Sequence, residues 1–209
     1  MSSERSSRVV PVSEVDGVVS VLAEAFFDYP VMRYVVGDLE PYEVHLRRLI
    51  GYFVAARFMR AETVLGVGPA LSLAGIALLS RPGGGVKPPE LALRREALWG
   101  DLGHSARVRY ERFGTAASTF EFEEPHLHLN MIGVRTEARG SGVGRRLLEA
   151  AHRFAVDEPE AEGVSLTTEV ESNLDLYRHF GYRLIGEATL DGALTSWGMY
   201  RPNPRAAVR

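Results

Sequence analysis

The segment Leu127–Ala155 constrains the fold more than any other part of the chain. It reads as a strand, a tight glycine turn and a helix in immediate succession. Leu127-His128-Leu129-Asn130-Met131-Ile132-Gly133-Val134 alternates or runs apolar, the pattern of a half-buried or central strand. It feeds Arg135–Gly144, in which Gly140, Gly142 and Gly144 fall two apart. Arg145–Ala155 then takes up a helical rhythm, with Val143, Leu147, Leu148, Ala151, Phe154 and Ala155 on one stripe. Glycines at the mouth of a helix let backbone approach a ligand closely, and first-turn N–H groups lack intrahelical partners. Such a turn suits an anion, most obviously a phosphate.

Two common phosphate motifs do not fit. A P-loop needs Gly-x-x-x-x-Gly-Lys-Ser/Thr, but Gly144 is followed by Arg145 and Arg146. The dinucleotide fingerprint Gly-x-Gly-x-x-Gly asks for glycine where Arg145 or Leu147 stands, and belongs on the first strand of its domain. The pattern Arg139-x-x-Gly142-x-Gly144 after a strand ending in Gly-Val instead resembles the acyl-coenzyme A pyrophosphate loop of the GCN5-related N-acetyltransferase (GNAT) superfamily. A second block agrees: a strand over Val164–Val170, then Asn173-x-x-x-Tyr177, then Phe180-Gly181-Tyr182, similar to the family's later strand, tyrosine helix and ending. The resemblance covers roughly Val9 to Pro202. It implies an α/β fold with a central mixed, mostly antiparallel sheet flanked by helices and splayed between strands 4 and 5. It also implies acetyl-CoA as the acyl donor.

Length and composition agree with one ordinary domain. The chain has 209 residues, long enough for a full core, with 45% apolar and 24% charged residues. A formal net charge of −3 and a pI of about 6.1 argue against a general nucleic-acid binder. The absence of cysteine excludes disulfides, zinc thiolates and a cysteine nucleophile. The longest nearly apolar run, Val64–Leu79, is broken by Gly66, Gly68, Pro69 and Gly75, and no apolar leader opens the chain, so a cytoplasmic location without membrane partner is expected.

The expected division is a disordered tail over 1–8, one domain over 9–202 with a helical insertion at about 81–125, and a second tail over 203–209. A first strand is expected at Val9–Val12, then a helix capped by Ser13 with Val15, Val18, Val19, Leu22, Ala23 and Phe26 on its face. Asp28–Tyr34 is expected as a loop, resembling the early acceptor-enclosing loop of antibiotic-type members. Tyr42–Arg60 has helical period; Thr63–Val67 and Leu71–Leu79 read as strands joined through Gly68-Pro69. Two helical stretches, from Pro88 or Pro89 to Leu98 and from about Gly103 to Thr119, resemble the helical insertion of the puromycin N-acetyltransferase-like group. Ser172 with Asp175 outlines a capping box, and Asp191-Gly192 is a strong hairpin signal between Tyr182–Glu187 and Thr195–Arg201.

The resemblance assigns roles residue by residue. Arg139, Gly140, Ser141, Gly142, Val143, Gly144 and Arg145 would hold the pyrophosphate. The backbone of Ile132 and Val134 would run beside the pantetheine arm, with the Ile132 amide polarising the thioester carbonyl. Tyr177 is the candidate general acid, since a phenol with a reference pKa of roughly 10 is protonated at neutral pH. Asn173 would bind the pantetheine amide or cap its helix. Glu169 is the candidate base, with Glu121, Glu123, Glu124, His126 and His128 clustered before the central strand. Tyr29, Tyr34 and His128 are candidate acceptor contacts, and Tyr42, Tyr52 and Phe53 supply further aromatic residues. Thr167 stands where the puromycin-acetylating group carries glutamate, which argues against puromycin itself. Two histidines without a third ligand do not make a metal site.

The expected function is direct acetyl transfer from acetyl-CoA to the amine of a small antibiotic- or metabolite-like molecule in a ternary complex. Acetylation of a protein or peptide amine, and a non-catalytic acyl-CoA sensor or structural subunit on the same fold, are the alternatives. A homodimer is compatible with either.

Overall fold

The computed structural model describes residues 6–120, 122 and 124–204. Its strands, in chain order, are β1 (Ser7–Val9), β2 (Val64–Val67), β3 (Gly75–Ser80), β4 (His126–Val134), β5 (Gly163–Thr168), β6 (Arg183–Leu190) and β7 (Leu194–Pro202). Its helices are α1 (Val15–Ala25), α2 (Pro30–Val36), α3 (Tyr42–Met59), α4 (Pro89–Ala117), α5 (Val143–Asp157) and α6 (Asn173–His179). The seven strands form one sheet in the order β1-β2-β3-β4-β5-β7-β6. Every pairing is antiparallel except β4 with β5.

That exception shapes the molecule. The two parallel strands pair only from His126↔Gly163 to Leu129↔Leu166, and beyond Leu129 they part. At the same point the β3–β4 register slips, Leu78 facing Met131 but Leu79 facing Leu129, so Asn130 is an extra residue in β4. The bulge explains why the apolar alternation of this strand is imperfect. Leu127 and Leu129 before it, and Ile132 and Val134 after it, all pack in the cluster under α5. Met131 packs in the other cluster, among α1, α2 and α3. One inserted residue thus keeps both faces apolar across a register change. Gly133 lies against α1 so closely that a Cβ there would stand 2.8 Å from that of Ala25.

Several sequence expectations are corrected. The first strand is Ser7–Val9, two residues earlier than expected and overlapping the expected tail at Ser7 and Arg8: its backbone pairs with Leu65–Val67, and Arg8 bonds Glu14 and the Gly68 carbonyl. The first helix is entered through a 3-10 turn at Val12–Glu14, so Ser13 does not cap it. Asp28–Tyr34 is no loop, because Pro30 sits at the first position of α2, where its fixed φ suits a helix and its missing N–H costs nothing. Leu71 is fully exposed in the turn before β3. The two insertion stretches run on as α4 but are broken at Gly103, whose φ of +82° is open to glycine. The Ser172–Asp175 box is not made; Ser172 has helical φ/ψ, and Asp175 pairs instead with Arg178 at 2.9 Å. In the expected C-terminal tail, Asn203 is buried and donates to the carbonyls of Ala155 and Ala161.

The Asp191-Gly192 hairpin forms as expected, with φ of +51° and +68° and Ala193 N–H on the Leu190 carbonyl. Among the described residues no helix is long and apolar enough to cross a membrane.

Candidate active site

The glycine turn presents a row of bare donors. Gly140 and Gly142 have φ of +75° and +79°, and Gly142 precedes α5 without any side-chain cap. The first helical bond runs from Arg146 N–H to the Gly142 carbonyl at 3.1 Å. Among the described residues, the N–H groups of Gly140, Gly142, Val143, Gly144 and Arg145 meet no acceptor. The Ser141 hydroxyl turns inward, donating to Ala138 O at 2.6 Å, and caps none of them. No side chain crowds the approach: a Cβ added at Gly140 would touch nothing within 4 Å. Arg139 is exposed, and Arg145 is held by Glu149 at 2.8 Å. Arg146, which the sequence motif leaves outside the loop, keeps a buried Nε with no partner. The turn is anchored by a pair that no local pattern announces. Arg135 bonds Glu24 at 2.7 Å, and Glu24 also accepts the Thr136 N–H at 2.8 Å. Those bonds, led by the Thr136 amide, hold the Glu24 carboxyl below its ordinary pKa.

The β4 edge beyond the bulge is equally open. Arg135 N–H donates to the Ala74 carbonyl, so by antiparallel alternation Gly133 and Met131 exchange bonds with β3. Ile132 and Val134 therefore turn their N–H and C=O groups the other way, toward β5, where the ladder has ended. The split and the glycine turn together form a continuous line of unpaired backbone donors and acceptors.

Beside the split lies a cavity of about 470 Å³. Tyr177, Asn173, Glu169, Tyr29, His128 and Ile132 all line it. Tyr177 is buried, its hydroxyl has no partner among the described residues, and burial, with Glu169 adding, pushes its pKa up to about 12. Glu169 follows β5 directly and is buried; the hydroxyl of Ser196 on β7 donates to its carboxylate at 2.7 Å. Burial raises the Glu169 pKa, and the Ser196 bond works against that rise. Tyr29 comes from the turn before α2 and locks the same corner. Its hydroxyl accepts the Glu169 N–H at 3.1 Å and shares a bond with Thr168 Oγ1 at 3.2 Å. The Asn173 side-chain amide donates to that same Thr168 oxygen at 3.2 Å, so it does not cap its helix.

The opposite wall is polar and neutral overall. His128 is held near a pKa of about 4, chiefly by burial and then by His126 and Arg57, so it is uncharged at neutral pH. Its Nδ1 shares a bond with Ser165 Oγ at 2.8 Å. Arg57 is paired with buried Glu62 at 2.8 Å and bonds Ser80 and the bulge residue Asn130.

Not every candidate converges here. The Tyr34 hydroxyl donates to Asp191 at 2.7 Å in the hairpin turn, away from the cavity. Tyr42 bonds the Phe27 carbonyl under the Arg33 guanidinium, and Tyr52 stands behind Phe53; of these three aromatic residues Phe53 alone lines the cavity. His126 shares a bond with the Glu124 carbonyl outside it. Glu121 and Glu123 lie outside the described residues. Sequence reading missed Thr168, Ser196, Arg57 and Asn130, each of which has a partner remote in the chain: Tyr29 for Thr168, Glu169 for Ser196, and one another for Arg57 and Asn130. The one available signal was the polar Thr-Thr-Glu at the end of an otherwise apolar strand.

Comparison with known proteins agrees with this layout. The family model described as acetyltransferase (GNAT) domain matches residues 101–184. Among solved structures, the histone acetyltransferase HPA2 and related acetyltransferase from Corynebacterium glutamicum superposes with a TM-score of 0.70 at 23% identity, over 96% of this chain and 97% of that one. The C-terminal condensation domain of Ebony gives 0.63 at 10% identity, over 94% and 97%. A mosquito arylalkylamine N-acetyltransferase like 5b gives 0.57 at 16% identity, over 94% and 98%. No curated protein sequence matches the chain. The matched model spans residues 101–184, and the superpositions show that the chain as a whole shares the fold of these solved structures.

Proposed function

We propose that the protein is an acetyl-CoA-dependent N-acetyltransferase that acetylates the amine of a small molecule by direct transfer. Members of the superfamily use acetyl-CoA as the acyl donor. The residues present suit that group. A diphosphate needs several converging N–H donors and positive charge, and the turn offers five unpaired amides with Arg146 beside them. A pantetheine arm carries amides that pair with an unpaired strand edge, which Ile132 and Val134 supply. When bound, the donor supplies an acetyl thioester whose carbonyl carbon takes up an amine nitrogen as the carbon–sulfur bond breaks.

The chain's own groups then divide the proton work. Glu169, its pKa raised by burial, takes the proton that the acceptor ammonium must shed. Tyr177, held protonated, gives its proton to the departing sulfur, and the second proton, shed by the nitrogen as the amide forms, restores the phenol. The Ile132 amide, whose residue lines the cavity, serves as the donor to the carbonyl oxygen as charge develops there. The cavity orients the acceptor and supplies the rate gained from proximity.

The observation that carries this reading is the row of uncapped amides opening beside a cavity that holds an unpartnered phenol and a buried carboxylate. Calorimetric titration with coenzyme A tests it directly. Gly142→Val and Gly144→Val are expected to weaken coenzyme A binding at least about tenfold, roughly the loss of one charge-assisted bond. Unchanged affinity in folded variants overturns the loop assignment. Thiol release from acetyl-CoA across a panel of amines and peptides then tests the reaction: release with peptides alone overturns the small-molecule reading.

A further inference from the structure

The cavity walls carry more information than acetyl transfer requires. Seven aromatic rings line the cavity: Phe26, Phe53, Phe113 and Phe122, with Tyr29, Tyr110 and Tyr177. Five of these, Tyr29, Phe53, Tyr110, Phe113 and Phe122, are only half-buried, so their faces are open to the cavity. Phe53 and Tyr110 stack with centroids 5.9 Å apart and an interplanar angle of 29°, and Trp99 backs Tyr110 at 5.2 Å. The rings are thus braced from behind and open in front, which is the arrangement of a recognition surface and not of a closed core. Charge on the walls is sparse. Among the described residues the lining holds one carboxylate, Glu169, and one cation, Arg57, whose charge Glu62 already answers at 2.8 Å. A polyamine or an aminoglycoside carries several ammonium groups, and each needs an anionic or hydrogen-bonding partner once desolvated. A monoamine needs one.

We propose that the acceptor is an aromatic primary monoamine, an arylalkylamine in chemical class, with its ring against Phe53, Tyr110 and Phe113 and its amine at Glu169. This assignment rests on the acetyl-transfer reading and narrows it. The second half of α4 supplies Tyr110 and Phe113, so the helical insertion becomes the element that selects the ring. Gly114 also lines the cavity, and a Cβ added to it would meet nothing within 4 Å, so a larger residue there enters free space.

The test is calorimetric titration of the full-length protein saturated with coenzyme A, which has no acetyl group to transfer. The probes are 2-phenylethylamine and spermidine. The expected result is 2-phenylethylamine binding at least about tenfold tighter, from stacking and cation–π contacts in a desolvated site. Phe53→Ala is expected to weaken it about tenfold without changing spermidine. Gly114→Leu, which removes a helix-interior glycine and so favours the fold, is expected to weaken it as well while coenzyme A affinity stays unchanged. Spermidine binding as tightly as 2-phenylethylamine, or indifference of 2-phenylethylamine to both variants, overturns the proposal. The two readings fail separately. Acetylation of some other amine with no 2-phenylethylamine binding refutes the aromatic acceptor alone. Tight 2-phenylethylamine binding with no thiol release from acetyl-CoA for any amine supports the aromatic pocket and refutes acetyl transfer.

Discussion

At the scale of single residues, the proposed acid and base, Tyr177 and Glu169, both line the cavity, and each role carries a distinct kinetic signature. Tyr177→Phe keeps the ring and loses the proton. Its kcat is expected to fall about a hundredfold or more with the KM for acetyl-CoA unchanged, the size of effect general acids show. Glu169 has its pKa raised by burial, so its ionised, proton-accepting form is reached at higher pH than for an exposed carboxylate. The acid limb of the kcat/KM profile should lie correspondingly high, and Glu169→Gln should remove that limb. Ser196→Ala gives the sign test: the hydroxyl bond favours the charged carboxylate, so its loss should move the limb further up in pH. A downward shift contradicts the assignment. Tyr177 and Asn173 were legible because both lie in one short motif on one helix. Ser196 and Arg57 were not, because their partners, Glu169 and Asn130, are 27 and 73 residues away, and nothing local marks such a pairing.

At the scale of elements, the decisive unit is β4 with its extra residue. Deleting Asn130 would shift Met131–Val134 by one, sending Ile132 and Val134 toward α1, where Gly133 now leaves no room for a Cβ, and turning Met131 toward α5. The deletion is expected to abolish the folded state, read as loss of soluble yield and of near-ultraviolet dichroism. Asn130→Ala, which keeps the bulge, should fold. A folded deletion variant would contradict the register described. The helices α1, α3 and α5, the strand β5 and the closing hairpin were legible from period and turn chemistry. The bulge was not, since Asn130 reads as an ordinary polar position in an alternating strand. Nor was α2: Pro30 after Tyr29 suggests a break, whereas here the proline starts a helix that carries Tyr29 to the site.

At the scale of the whole molecule, the sheet separates two apolar clusters, one under α5 and one among α1, α2, α3 and α4. Two histidines held neutral at about pH 7 make the fold sensitive to acid. His152 in α5 shares a bond with Tyr182 at 3.0 Å, and burial followed by Arg201 holds its pKa at about 4 against the usual 6.5. His128 stands near 4 for the reason of burial already given. With folded pKa values depressed, the stability from both groups is fully present above pH 6.5 and is lost as pH falls through about 4. A shift of this size corresponds to about 3 kcal/mol per histidine. Urea unfolding at about pH 7 and about pH 4.5 should show a lower midpoint in acid, and His152→Gln should lose less between the two. Equal losses would refute the contribution of His152.

The break at Gly103 has its own consequence. It divides the long insertion into an anchoring half, with Leu98, Trp99 and Leu102 buried among the helices, and a lining half carrying Tyr110 and Phe113. Because the grip on a nucleotide would come from the turn before α5, which packs in the other apolar cluster, a change confined to the lining half of α4 would alter what the cavity accepts and leave that grip untouched.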